Sequence, residues 1–451
     1  MEALDGPFQV ILINFFHFYR NYSTDSSWFT LILLTVLLLT NFTLIALAEP
    51  VTIEVWFHSG KGEEREVLDA QVKDFNAMQN EVIVKAVRLP EGSYNEQVSG
   101  AALAGDMPDL LDFDGPYVYN YAWAGYLVPL DYYVSDYLRD DFLPTIIAQG
   151  TYGGKLYALG TFDSGLAIWG NKAYLKKAGV RIPTSIKDAW NLDEFNEALK
   201  KLKALDEVEY PIDFKMNYGQ GEWYTCGFSP IIQSWGADLI DRSDFQSADG
   251  VLNGPEAVEA MTWFQSLFSN GYANIQPAGD DDFYGRKTAA LSFVGHWMWG
   301  PHSKELGDNL VLLPMPKFGD KAVTGMGSWC WGITSQSKHP DAAWKFLEYL
   351  INSEQILHMT NANGAVPARK SALANSELYG PNGALRVFTE QLEGGVAVTR
   401  PETPAYPTIS SAFAEAVQNI VNGADVKTEL DKAVQKIDQD IEDNRGYPIT
   451  N

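Results

Sequence analysis

Three short segments set tryptophan between glycines: GEWYTCG (221–227), GHWMWG (295–300) and GSWCWG (327–332). Tryptophan and tyrosine each present an apolar plane with a polar edge. A pyranose has one face of C–H groups and a rim of hydroxyls, so it can stack on such planes. Its hydroxyls then need fixed acceptors, and carboxylates supply the strongest, charge-assisted ones. Asp112, Asp114 and Asp163 fall at expected strand ends and could serve. One tryptophan after a strand is ordinarily core. Three glycine-flanked groups point instead to a surface that backbone or ligand approaches closely.

Other chemistries lack their patterns. No G-x-S-x-G, H-E-x-x-H or phosphate-loop motif occurs. The histidines are scattered at 17, 58, 296, 302, 339 and 358; His296 and His302 bracket Trp297 with no third ligand nearby. Cys226 and Cys330 stand in no metal-ligand spacing, which excludes a structural zinc site, and no histidine accompanies Cys226 as a nucleophile's base. Whether these two thiols meet as a disulfide stays open. A glycoside hydrolase needs two carboxylates at a set separation, one with a raised pKa. Neither quantity is legible, and 58 acidic residues make chance pairs abundant. Tyr132-Tyr133, after VPLD (128–131), reads as capping a surface helix.

The elements that must position these residues belong to a chain of 451 residues, enough for two or three lobes with real cores. Hydrophobic residues at 46% and charged residues at 20% are ordinary globular composition. A net charge of −25 excludes nucleic acid and anionic membrane surfaces as partners, because both require clustered Lys and Arg. Residues 26–48 carry no charge and end in Ala46-Leu47-Ala48, a signal-peptidase pattern. Residues 1–48 are therefore expected to be a signal peptide, or an N-terminal membrane anchor if uncleaved; a misassigned start codon accounts for the long leading region. No cysteine lies near the cleavage point, which excludes a lipid anchor and makes a Gram-negative periplasm the expected compartment.

VTIEVWF (51–57), EVIVKAVRL (81–89) and PDLLDF (108–113) read as strands, separated by helices over 63–79 and 94–104. That alternation opens a parallel α/β sheet, with ligand expected at the carboxyl ends of its strands. Further strands are expected at 155–159, 166–171, 289–295 and 328–334. Helices are expected near 174–178, 191–204, 255–270, 281–287 and 408–422, and one starting at His339-Pro340-Asp341.

Eight segments in one order carry a resemblance: VTIEVWFHSG (51–60), GDMPDLLDFDGPYVYNYAWAGYLVPLD (105–131), GKLYALGTFDSGLAIWGNKAYLKKAGV (154–180), FSPIIQSWGADLID (228–241), GRKTAALSFVGHWMWG (285–300), GSWCWGITSQSKHPDAAWKFLEYL (327–350), NGAVPARKSAL (363–373) and TPAYPTISSAFAEAVQNIVNGAD (403–425). Over residues 51–451 the chain resembles the extracellular solute-binding proteins of bacterial ABC sugar importers, the group with maltose- and multiple-sugar-binding proteins. The resemblance implies the two-lobed periplasmic-binding-protein fold: α/β lobes of discontinuous chain around a hinge and a ligand cleft. The lobes are expected at 49–162 with 326–362, and 163–325 with 363–451. It implies a monomeric carrier and no enzyme, with no cofactor, a carbohydrate ligand, and the importer's membrane permease subunits as partners. Carried over by position, the ligand residues are Ser59, Gly60, Lys61, Phe113, Asp114, Asp163, Ser164, Trp223, Trp297, Trp329 and Tyr406. One alternative is a carrier of glycerol phosphate or another polar solute, marked by arginines in the cleft. The other is an extracellular glycoside hydrolase using Asp114 and Asp163.

Overall fold

Alternating β-branched and aromatic residues build two sheets. The computed structural model describes residues 49–60, 63–90 and 93–449. The principal strands, in chain order, are β1 (Val51–His58), β2 (Val82–Leu89), β3 (Leu110–Asp114), β4 (Leu159–Gly160), β5 (Leu166–Asn171), β6 (Tyr210–Asp213), β7 (Ala289–Gly295), β8 (Leu310–Leu313) and β9 (Trp329–Ile333). The helices used below are α1 (Glu63–Met78), α2 (Tyr94–Ala104), α3 (Glu222–Ser234), α4 (Ser353–Asn363), α5 (Tyr406–Val421) and α6 (Val426–Asp443).

The first sheet has the order β2-β1-β3-β9-β4. β1 and β3 are parallel, as the strand–helix–strand alternation requires, with Val55 opposite Leu110. β9 arrives from far along the chain and pairs antiparallel with β3, setting Trp329 opposite Asp114 and Cys330 opposite Phe113. The second sheet has the order β8-β5-β7-β6. β5 is antiparallel to both β7 and β8, and β6 is parallel to β7. Trp169, Phe214, Phe228 and Phe264 fill the core between this sheet and helices α3 and 255–269. This is the two-lobed α/β architecture expected.

Two short pairings lie where the chain passes between the sheets. Phe162–Asp163 pairs antiparallel with Val366–Pro367, and Thr324–Met326 runs parallel to Ala397–Thr399. Asp163 is fully buried at the first crossing and accepts from Thr145 Oγ1 (2.5 Å), Ser164 N (2.8 Å) and Gly327 N (3.0 Å). Gln149 bonds Ser328 twice, through Nε2 to its carbonyl (2.8 Å) and through Oε1 from its N–H (3.0 Å). Gly327 has φ +88°, and a Cβ there would stand 2.3 Å from Gln149 Oε1, so this crossing needs glycine. Residues 365–373 still bond to the first-sheet side: Arg369 Nε donates to Asp141 (2.7 Å) and Leu143 N to the Ala368 carbonyl (2.8 Å).

Several local expectations are corrected. Residues 281–287 form a single turn: the Asp281 carbonyl accepts from both Gly285 and Arg286, and Lys287 at φ 57° stops any helix. The expected strand 155–159 divides into a hairpin arm, Lys155–Leu156, and β4. Tyr132 is 90% exposed in a turn, and Tyr133 stacks on Trp344 at 5.2 Å; Ser135 caps the following helix instead. Cys226 and Cys330 are free thiols. The expected leader 1–48 and Lys61 lie outside the described residues. Among the described residues no helix is long and apolar enough to cross a membrane.

Candidate functional site

The carboxyl ends of β1, β3 and β7 and the start of β9 face a cavity of about 730 Å³. Its aromatic lining includes Trp329, Trp223 and Trp297, with Tyr94, Tyr117, Tyr218 and Phe162.

Each tryptophan is held from behind. Trp329 opens β9 and stacks on the His58 imidazole, centroids 3.8 Å apart and planes 16° apart, while Tyr94 meets it edge-on at 5.4 Å. Trp223, in the first turn of α3, donates from Nε1 to the Phe214 carbonyl (3.1 Å). It stands perpendicular to Trp297 at 5.9 Å. Trp297 follows β7 in a 3₁₀ turn and donates from Nε1 to Tyr218 Oη (3.2 Å). Its ring folds over Gly295, where a Cβ would come within 2.0 Å of the indole. The glycine flanking this tryptophan thus makes room for its own ring.

The charged groups are paired with each other. Arg400 grips Asp114 in a two-pronged bond, NH1 to Oδ2 (2.5 Å) and NH2 to Oδ1 (2.7 Å), and NH1 also reaches Glu222 Oε1 (2.5 Å). Glu222 further accepts from Tyr406 Oη and from Ser410 Oγ (2.6 Å). Burial pushes the Glu222 carboxyl up, opposed by Arg400. Arg400 Nε is buried without a hydrogen-bond partner. Under Trp329, His58 Nδ1 donates to Asp112 Oδ2 (2.5 Å), and its Nε2 lies 3.7 Å from Glu64 Oε2. Glu64 Oε1 accepts from Asn363 Nδ2 (3.1 Å), and the Asn363 carbonyl accepts from His296 Nδ1 (2.9 Å). Burial would lower the His58 pKa, but the charge and hydrogen bond of Asp112, joined by Glu64, hold it well above the imidazole range. Burial drives the His296 pKa down to about 4. Among the described residues no group of His, Cys, Asp and Glu is placed to hold a metal ion.

Of the residues expected from sequence, Asp114, Ser164, Trp223, Trp297 and Trp329 line the cavity. The other described ones lie elsewhere. Phe113 points into the first-sheet core against Tyr121, because alternate residues of β3 face opposite sides. Asp163 is consumed by the crossing strands, and Tyr406 is buried behind Glu222. Ser59 and Gly60 accept from Arg65 through their carbonyls and are not part of the cavity lining. Sequence reasoning missed His58, Glu64, Glu222 and Arg400. A signal existed for Arg400, the sole basic residue between Arg386 and Lys427.

Residues 70–383 match the family model described as bacterial extracellular solute-binding protein. The chain is 26% identical over 383 residues to a maltodextrin-binding protein of Bacillus subtilis, covering 81% of this chain and 85% of that one. It is 24% identical over 338 residues to a maltotriose-binding protein of Pyrococcus abyssi, covering 72% and 68%. In structure it resembles an ABC substrate-binding protein of Listeria monocytogenes solved with cycloalternan, with a TM-score of 0.74, 20% identity, and coverage of 87% of this chain and 99% of that one.

Proposed function

The chain belongs to the bacterial extracellular solute-binding protein family, and from that premise we propose that it captures a neutral disaccharide or oligosaccharide between its lobes and delivers it to the permease of an ABC importer. We place it in a Gram-negative periplasm, as a monomer, with lobes of 49–162 and 326–362 against 163–325 and 363–451. The observation that carries the reading is one cavity walled by three tryptophans whose indoles are fixed by Phe214, Tyr218 and His58. Its volume lies within the ~300–1,000 Å³ usual for small-molecule sites. Trp329, Trp223 and Trp297 stack on the C–H faces. Ser164, Asn95, Asn217, Gln220 and Ser411 offer hydroxyls and amides to the rim, and Asp114 acts with Arg400 as a paired group. The relatives from Bacillus and Pyrococcus bind malto-oligosaccharides by name, which favours that ligand class here.

The alternatives lose support in this geometry. An anion carrier wants uncommitted arginines; Arg400 does line the cleft, but its NH groups are engaged by Asp114 and Glu222. A hydrolase using Asp114 and Asp163 would need both beside the substrate, and Asp163 is fully buried in the crossing strands.

The test is a thermal-shift and calorimetry series of the full chain against maltose, maltotriose, other neutral oligosaccharides and glycerol phosphate, with chromatography of the sugars afterwards. A ligand that binds only the native state raises the melting temperature. The expected result is a rise with a neutral oligosaccharide that is recovered intact. Trp297→Ala should remove that rise by weakening affinity roughly thirtyfold, the effect of losing a tryptophan anchor worth about 2 kcal/mol. A rise with glycerol phosphate alone, or cleaved sugar, overturns the reading.

A further inference from the structure

One face of the Trp329 indole rests on ionisable groups, two of which, His58 and Glu64, also border the cavity, an unusual foundation for an apolar stacking surface. The His58 ring lies flat against the indole, and each ring nitrogen faces a carboxylate, Asp112 on β3 and Glu64 on α1. All three side chains are buried. Leaving His58 in this place has a physical requirement: a neutral imidazole has one N–H and one lone pair, so one of its nitrogens would set a lone pair against a carboxylate. Only the imidazolium turns an N–H toward both carboxylates. The same charge attracts the indole face stacked on it at 3.8 Å.

We propose that His58 is the positioning residue of the Trp329 wall: clamped on both ring nitrogens by Asp112 and Glu64, it fixes the plane of the indole and so sets how tightly a sugar stacks there. The proposal rests on the sugar-binding reading only for its ligand; the clamp itself is a property of the free protein. Loss of the proton removes one side of the clamp and the cation beneath the indole. Affinity therefore falls as pH rises through the His58 transition.

Other titratable groups surround the clamp. Tyr94, on α2, donates to the Asp112 carbonyl, and burial with the nearby Asp112 charge pushes its hydroxyl well above the usual range. Burial pushes Cys330, on β9, well above its ordinary value as well. His296, which reaches the clamp through Asn363 and Glu64, is already neutral above its value of about 4. Arg65, beside Glu64 on α1, donates to the Ser59 and Gly60 carbonyls. The two carboxylates that face His58 are displaced in opposite directions: burial raises Asp112 against the pull of His58, while at Glu64 burial is outweighed by the His58 hydrogen bond and charge, which lower it.

The experiment places 5-fluorotryptophan in the full chain, assigns the Trp329 fluorine signal by Trp329→Phe, and follows it against pH alongside maltotriose affinity by calorimetry. In wild type the free-protein signal should move through one alkaline transition, and affinity should fall with the same midpoint. His58→Gln should abolish the transition and weaken maltotriose binding about tenfold, the scale of a desolvated cation–aromatic contact. Asp112→Asn preserves size and a hydrogen-bond acceptor but removes one charge, so both midpoints should move to lower pH. That shift is a readout that simple packing would not produce. A Trp329 signal that does not titrate, or a midpoint that Asp112→Asn leaves in place, overturns the proposal. So does undiminished binding by His58→Gln when Trp329→Ala loses it. Should wild type bind no maltotriose at any pH, the sugar reading fails there, and the fluorine titration still decides the clamp.

Discussion

Asp114 illustrates what a residue's type conveys and what its partner adds. At a strand end in an acidic chain it reads as a free acceptor for sugar hydroxyls. Its two oxygens are in fact held by Arg400, 286 positions away. Asp163 reads the same way and is satisfied by Thr145 and two backbone N–H groups. The tryptophans were legible because bulk, planarity and flanking glycine are intrinsic to short segments. Carboxylate roles were not, because they depend on cations brought in by tertiary structure. Breaking a buried ion pair by removing one partner costs about 3–5 kcal/mol, because the remaining charges are left uncompensated. Arg400→Met should therefore destabilise the protein by that order in urea unfolding, with Asp114 and Glu222 left facing each other. Adding Asp114→Asn and Glu222→Gln to Arg400→Met should recover most of the loss. A triple variant no more stable than Arg400→Met would show that packing, not charge, holds this corner.

Among elements, β1, β2, β5 and β7 follow from residue pattern alone, since β-branched runs bounded by turn residues leave little choice. α3 was invisible because Gly227 and Pro230 break the helical pattern; Pro230 is tolerated inside a helix packed against α5 and the 255–269 helix. Residues 281–287 failed oppositely, as a polar segment with helical composition whose turn is closed by one carbonyl, that of Asp281. β9 as a strand was legible, but its insertion between β3 and β4 is a long-range pairing that local sequence does not encode. The crossing at Gly327 makes an element-level prediction. A left-handed backbone costs an L-residue about 1–2 kcal/mol, and a methyl group here also strikes Gln149. Gly327→Ala should lower unfolding free energy by at least that amount. Because the same segment joins the two sheets, it should also alter the ligand-induced change in small-angle scattering. Unchanged stability would mean that Gln149 moves aside freely and does not brace the crossing.

At the scale of the whole molecule, the three histidines buried among the described residues give the pH–stability curve opposing limbs. His58 has a raised pKa, so its stabilisation is complete below about pH 6.5 and is lost as pH rises through its folded value. His296 and His302 are displaced the other way by burial, to about 4 and well below the ordinary value, respectively. Below about pH 6.5 the unfolded chain takes up protons at both while the native state does not, and each removes roughly 1.4 kcal/mol per pH unit. Their contribution is thus present at neutral pH and lost on acidification, and the His296 part alone reaches about 3 kcal/mol near pH 4. His302 is the sharper test. It is packed among Trp169, Phe283 and Tyr284, and neither ring nitrogen has a hydrogen-bond partner among the described residues. Phenylalanine would keep an aromatic ring there and remove two unsatisfied buried groups, whose burial costs about 1–3 kcal/mol. His302→Phe should therefore be at least as stable as wild type at pH 7. In urea unfolding between pH 6 and 5 it should lose stability less steeply, by roughly 1.4 kcal/mol per unit. A parallel slope with lower stability at both pH values would place a water or a partner at the His302 nitrogens and remove that residue from the acid limb.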